Sequence, residues 1–312
     1  MAQPGVLSAD ELEAIAGGAL PSAARRRLEE LAGLAGVSSS FLSAQDDSLA
    51  AGLGVVVLGQ VVGCAAGGLR VGVIRAVGPG SQARHKPGEA RWLERSGVVE
   101  TWTGARLRAV SRIQEQAAIL GADAVLGVRV SRRQAESVAE VVLTGTAVRI
   151  GRSGSAGAGR PIVTGASLGQ LAKLRACGAE PAGLVGGCAS VAALPSTATG
   201  RALRRRRRGR RSRELDEFTF AFGEARRRAM ERLRREAAGL GASGVIGIDL
   251  DDLAAFRGGG GDYQVVLHLL GTAVRRDPAA TRAGGVIGVG GGGRVGVGVG
   301  GGVTLRTGRV AG

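Results

Sequence analysis

Two stretches of the chain repeat the same spacing of apolar and polar positions. Trp102, Ala105, Ala109, Ile113, Ala117 and Leu120 follow one another at steps of three and four, and so do Phe222, Ala225, Ala229, Leu233, Ala237 and Leu240. That spacing places each set on one face of a helix. The opposite face of the second set carries Arg226, Arg227, Glu231, Arg234 and Arg235, with Glu231 four residues before Arg235 in the favourable order, so both predicted helices are amphipathic and lie on a surface. Gly121 and Gly241 come just after the last apolar position, where a left-handed C-terminal cap would release the chain into a strand.

After each helix the pattern turns β-rich: 124–130 then 137–150 in the first copy, 245–250 then 263–275 in the second. Each pair reads as an antiparallel hairpin, and a further apolar segment precedes each helix at 55–64 and 183–191. The copies also share wording. Leu120-Gly121-Ala122-Asp123 with Val125-Leu126-Gly127-Val128 returns as Leu240-Gly241-Ala242-Ser243 with Val245-Ile246-Gly247-Ile248, and Gly145-Thr146-Ala147-Val148-Arg149 returns as Gly271-Thr272-Ala273-Val274-Arg275. The second copy is longer between these blocks, and Gly258 to Gly261 makes a tip where insertion is cheap. The fold class is therefore α+β: two tandem β-α-β-β units, each a small antiparallel sheet with one amphipathic helix packed on one face. The runs Val55 to Leu58 and Val265 to Leu270 predict strands buried on both faces, with edges that need cover, so the copies are expected to associate edge to edge within or between chains.

Around these units the organisation follows from composition. Residues 1–40 hold an accessory helical segment with Pro21-Ser22 leading into 23–34, and 41–150 form the first unit. GRSGSAGAGR at 151–160 is a flexible linker, 161–276 the second unit with an arginine-rich loop at 201–213, and the Gly-rich 277–312 a disordered tail. Leu49 to Leu69 is uncharged and long enough to span a membrane, but its six glycines and its counterpart with Pro181 and Pro195 identify it as a buried strand with flanks, so no span is expected. The N-terminal residues show no basic region followed by an apolar one, so no secretory signal is expected. Cys64, Cys177 and Cys188 are odd in number and lack CxxC spacing, which argues against a disulfide framework or zinc finger and for a cytoplasmic protein.

Aromatics are 3% of the 312 residues, so stacking recognition is not widespread. The net charge of +16 is concentrated: Arg201 to Arg213 alone contains nine arginines and no acid. Only Lys86 and Lys173 are lysines and there is no asparagine, a bias of composition that discounts basicity as evidence of function.

The apolar strand Leu58-Gly59-Gln60-Val61-Val62-Gly63, the block Leu120 to Val128 and the strand end Gly145 to Val148 resemble the YbjQ-like family, labelled as heavy-metal-binding domains. Leu184 to Gly187, Leu240 to Ile248 and Gly271 to Val274 repeat the resemblance in the second copy. It implies small α+β units that assemble into rings, commonly pentamers, and it implies no settled activity.

Chemistry candidates are few. Cys64 and Cys188 occupy equivalent places after Gly63 and Gly187, and with Cys177 as a third ligand they could hold a soft divalent metal ion; equally, they suit a buried strand end where free cysteine acts as a hydrophobe. His268 lies in a strand where copy one has Val142, and reads as structural. Gly165-Ala166-Ser167-Leu168-Gly169 fits a hydrolase pattern, but Ser167 precedes a short helix and reads as its N-cap. Arg204, Arg205, Arg206, Arg207, Arg208, Arg210, Arg211 and Arg213 could bind a polyanion, either nucleic acid or anionic lipid. The expected function is a noncatalytic, self-assembling protein forming a ring-like homo-oligomer and binding metal weakly; the alternative is cytoplasmic polyanion binding through the arginine run.

Overall fold

The computed structural model describes residues 8–17, 19–33, 40–70, 72–78, 89–135, 137–150, 160–205, 214–257 and 262–276. The linker 151–159, most of the arginine run (206–213), the tip 258–261 and the tail 277–312 lie outside the described residues.

Three short helices open the chain: α1 (Ala9–Ala16), α2 (Ser22–Gly33) and α3 (Ala44–Gly52). Ser8 and Ser43 cap α1 and α3 by accepting from the backbone N–H three residues on. The first unit continues with β1 (Val55–Gly68), β2 (Ile74–Val77), β3 (Arg91–Arg95), α4 (Ser96–Ile119), β4 (Ala124–Ala135) and β5 (Val138–Ile150). The second contains β6 (Ile162–Val163), α5 (Leu168–Ala176), β7 (Ala179–Leu194), α6 (Thr197–Arg205), α7 (Asp216–Gly239), β8 (Gly244–Arg257) and β9 (Asp262–Arg276). The β-α-β-β order is thus present twice, on antiparallel β1·β5·β4 and β7·β9·β8 ladders. Leu49 to Leu69 is the end of α3 and β1, and among the described residues no helix is long and apolar enough to cross a membrane.

The repeated glycines serve backbone geometry. Gly121 and Gly241 adopt φ of 70° and 64° at the ends of α4 and α7, and Gly127 and Gly247 adopt 61° and 58° where β4 and β8 shift register against their partners. Other residues rarely take these angles, so the shared blocks encode a helix stop and a β-bulge.

The units exchange strands. The β2–β3 hairpin leaves the first unit and extends the second sheet, with Arg91 to Glu94 paired antiparallel to Val191 to Leu194. In return, β6 pairs in parallel with Ala124 and Val125 at the edge of the first sheet. The sheet orders are therefore β1-β5-β4-β6 and β2-β3-β7-β9-β8.

Between the sheets lies α4. Its Ala105, Ala109, Ile113 and Ala117 pack on the first sheet, while Val99 and Trp102 share a core with Leu184, Cys188, Val266 and Leu270 of the second. On the far side of the second sheet, α7 packs Ala221, Ala225, Ala229 and Leu233 against Val185, Ala189, Leu267 and Leu269. The layers run first sheet, α4, second sheet, α7. Burial on both faces holds for Val265 to Leu270 but not for Val55 to Leu58: Val56 is 54% exposed on the α4 side, opposite Arg149 just past the end of that helix, and only one end of the outer face of the first sheet is covered, by Leu168 and Leu171 of α5 and Ala50 of α3. The copies meet inside the chain helix to face, with strands crossing over, and the two sheets share no edge.

Candidate functional site

The junction between the units collects most of the buried polar groups. Cys188 on β7, His268 on β9 and Asp251 on β8 stand at one register position across three adjacent strands, so their side chains share the sheet face that α4 covers. Trp102, 1% exposed, meets the His268 ring edge to face with centroids 4.7 Å apart. Burial pushes the Cys188 thiol up to about 12 and the His268 imidazole down to about 3, the nearby Arg132 and Arg106 adding to the latter effect. At neutral pH the thiol is protonated and the imidazole neutral. His268 Nε2 and Trp102 Nε1 are buried without a hydrogen-bond partner among the described residues. They border a cavity of about 10 Å³, the size of one water molecule.

Ion pairs tie the units across this junction. Arg106 of α4 donates through Nη1 and Nη2 to the Glu236 carboxylate of α7 at 3.0 and 2.5 Å, and Arg132 of β4 donates to Asp251 at 3.0 Å. Glu94 of β3, 6% exposed, accepts from Arg228 at 2.7 Å and from Arg232 at 2.6 Å, both on α7. Arg232 also donates to the Cys188 carbonyl at 2.8 Å. Beside these pairs a cleft of about 560 Å³ opens between α4 and the second unit, lined by Val99, Glu100, Thr103, Cys188 and Arg235 among others.

The three cysteines are not gathered. Cys64 is exposed on the outer face of the first sheet opposite Val142, Cys177 is exposed at the end of α5, and Cys188 is buried at the junction. No group of three or more His, Cys, Asp or Glu among the described residues could hold a metal ion. The one thiol beside a histidine is held protonated, and the aspartate in its row is taken by Arg132. This donor set does not fit a closed soft-metal site, which needs three or four deprotonated ligands. Ser167 accepts from Gln170 N while the Gln170 side chain accepts from Ser167 N, a capping box, so the hydroxyl is committed to starting α5. Of the arginine run, Arg204 and Arg205 lie in α6, and Arg206, Arg207, Arg208, Arg210, Arg211 and Arg213 fall outside the described residues.

Sequence reasoning missed Glu94, Arg106, Arg132 and Trp102 as junction residues. A buried-side arginine at Arg106 within an otherwise apolar helix stripe is the one signal that could have marked them.

No curated protein matches the chain. Residues 94–151 and 183–277 each match the model of the YbjQ family described as "Putative heavy-metal-binding". Each matched stretch contains one long helix and the strand hairpin that follows it, one stretch for each sheet. The chain belongs to the YbjQ-like family, as two tandem copies.

Proposed function

We propose that this protein is a noncatalytic scaffold that associates with further copies of itself, head to tail. The observation that carries the reading is the asymmetry of the junction: the first unit contributes a helix and the second a sheet face, so among the described residues each unit leaves much of its complementary surface uncovered. A contact between unlike surfaces does not use itself up, and it continues into a ring or a filament when more copies are present. Since every chain brings two units, a ring closed by whole chains holds an even number of them, unlike the five-membered rings common in the family. The second sheet also ends at β8 with Ile248 43% exposed, whereas the matching edge at β4 is covered by β6. Metal binding is carried by the family description alone, because the donor groups are dispersed. Three free cysteines suit a reducing compartment such as the cytoplasm.

Light scattering after size exclusion at micromolar concentration tests the reading. The expected mass is several times 31.4 kDa. A single-chain mass at every concentration overturns it.

A further inference from the structure

We propose that the junction between the units binds a small uncharged molecule with an apolar body and one hydroxyl group. The body lies in the cleft between α4 and the second unit, and the hydroxyl reaches the two unpartnered nitrogens behind the cleft floor. The site is complete within one chain and does not depend on self-association.

The cleft has the size and the lining of a small-molecule site. Its volume of about 560 Å³ falls within the range of about 300–1,000 Å³ usual for such sites. Val99, Gly186 and Cys188, all buried, form an apolar floor, on which the protonated Cys188 thiol acts as a hydrophobe. The charges at the rim are already paired: Arg232 is bonded to Glu94, Glu236 to Arg106 and Arg235 to Glu231. Glu100 stands exposed beside them and repels anions. An uncharged body is what this lining accepts.

Behind the floor lies a polar well. Thr103 and Cys188 line both the cleft and the cavity of about 10 Å³ that Trp102 and His268 border, so a single layer of side chains separates the two. Trp102 is 1% exposed and His268 4%, and Nε1 of the one and Nε2 of the other have no hydrogen-bond partner among the described residues. Buried polar groups are nearly always bonded, so two such nitrogens at one cavity call for an occupant. The fold itself needs neither nitrogen, because the repeat has Phe222 in place of Trp102 and Val142 in place of His268.

The two nitrogens also select the group they take. An indole Nε1 only donates, whereas the imidazole of His268, held neutral, accepts at Nε2 in the tautomer that carries its proton on Nδ1. A hydroxyl accepts from the first and donates to the second, which satisfies both. A carboxylate has no proton to give, and an ammonium would meet Arg106 and Arg132 in the wall of the well. One water can make the same two bonds when no ligand is bound; the ligand's hydroxyl replaces it bond for bond, while the body covers the apolar floor. Thr103 is half-buried on the cleft side, so a turn of its side chain opens the way.

Isothermal titration calorimetry of the full chain tests the site with three probes: thymol, p-cymene, which is thymol without its hydroxyl, and cuminate, a carboxylate of similar size. Thymol should bind saturably, one molecule per chain, with p-cymene about tenfold weaker and cuminate weaker than p-cymene. His268→Val should bring thymol down to the affinity of p-cymene, and His268→Gln, whose amide oxygen still accepts, should keep part of the difference. Thr103→Phe should abolish binding of all three, with circular dichroism verifying that each variant is folded. Equal affinities for thymol and p-cymene, tighter binding of cuminate, or a preference for thymol that survives in His268→Val overturns the hydroxyl assignment. No saturable binding of any probe, or binding unchanged in Thr103→Phe, overturns the site. The ranking of the three probes on the unaltered chain decides the matter even where a variant fails to fold.

Discussion

Replacing Gly187 with alanine should measure how closely α7 must approach the second sheet. An ideal Cβ at Gly187 would stand 2.8 Å from the Ala229 carbonyl carbon and 2.9 Å from Leu233 N, with the Ala229 carbonyl oxygen closer still. These are helix backbone atoms, so no side chain can rotate away and α7 as a whole must retreat by more than half an ångström to reach ordinary contact. The retreat loosens Ala221, Ala225, Ala229 and Leu233, all buried, against Val185, Ala189 and Leu267. Overpacking of this kind costs about 1–3 kcal/mol, and the lower entropy of an unfolded alanine returns about 0.4–1 kcal/mol. The net loss is about 1–2 kcal/mol. Gly223→Ala on α7 itself is the control: nothing lies within 4 Å, so removal of a helical glycine should stabilise by about 0.5–1 kcal/mol. With a urea m-value of about 3 kcal/mol per molar, the midpoint should fall by about 0.5 M for Gly187→Ala and rise by about 0.2–0.3 M for Gly223→Ala. Urea unfolding followed by circular dichroism at high dilution reads both. Equal midpoints for the two variants would refute the close-approach argument.

Two further outcomes follow from the junction. His268 is held neutral when folded, with its pKa lowered from 6.5 to about 3, so the unfolded chain takes up one more proton as pH falls through that window. Stability should be fullest above pH 6.5 and decline towards pH 3 at up to about 1.4 kcal/mol per pH unit from this group, and His268→Val, which copies Val142, should remove that part of the slope between pH 5 and 6.5; parallel pH profiles would exclude it. Glu94→Ala leaves Arg228 and Arg232 without their shared carboxylate and should cost about 2–3 kcal/mol, Glu94→Gln about half, with loss of hydrogen-exchange protection concentrated in β2 and β3; unchanged protection there would show that the clamp does not hold the hairpin.

Much of the fold is legible in the sequence because it is written twice. The three-four spacing from Trp102 to Leu120 gives α4, and its recurrence gives α7. The glycines at the helix stops and the shared blocks then give the strand hairpins. What escapes is whatever depends on the other unit. Arg91 to Arg95 reads RWLER, with three charges in five residues, and becomes a strand only because the edge of β7 is there to pair with it. Val55 to Leu58 and Val265 to Leu270 look alike as apolar runs, yet only the second lies between two helices. The equivalence of Cys64 and Cys188 is plain in the text, while their opposite environments come from the position of α4, which no local pattern encodes.

The exchange of strands between the units also sets a schedule for synthesis. The β2–β3 hairpin leaves the ribosome complete at Arg95, but the strand it pairs with ends only at Leu194, about 100 residues later. At about 5–20 residues per second, the first unit waits roughly 5–20 s with that hairpin unpaired and one side of α4 bare. The β4 edge waits less, because β6 follows β5 directly across the linker. A nascent first unit is therefore a product that cannot finish alone, and polysomes set neighbouring nascent chains within reach of one another during that interval. A β7 from a neighbouring chain has the same sequence as the chain's own, so slow emergence of the second half would favour strand swapping over the intrachain pairing.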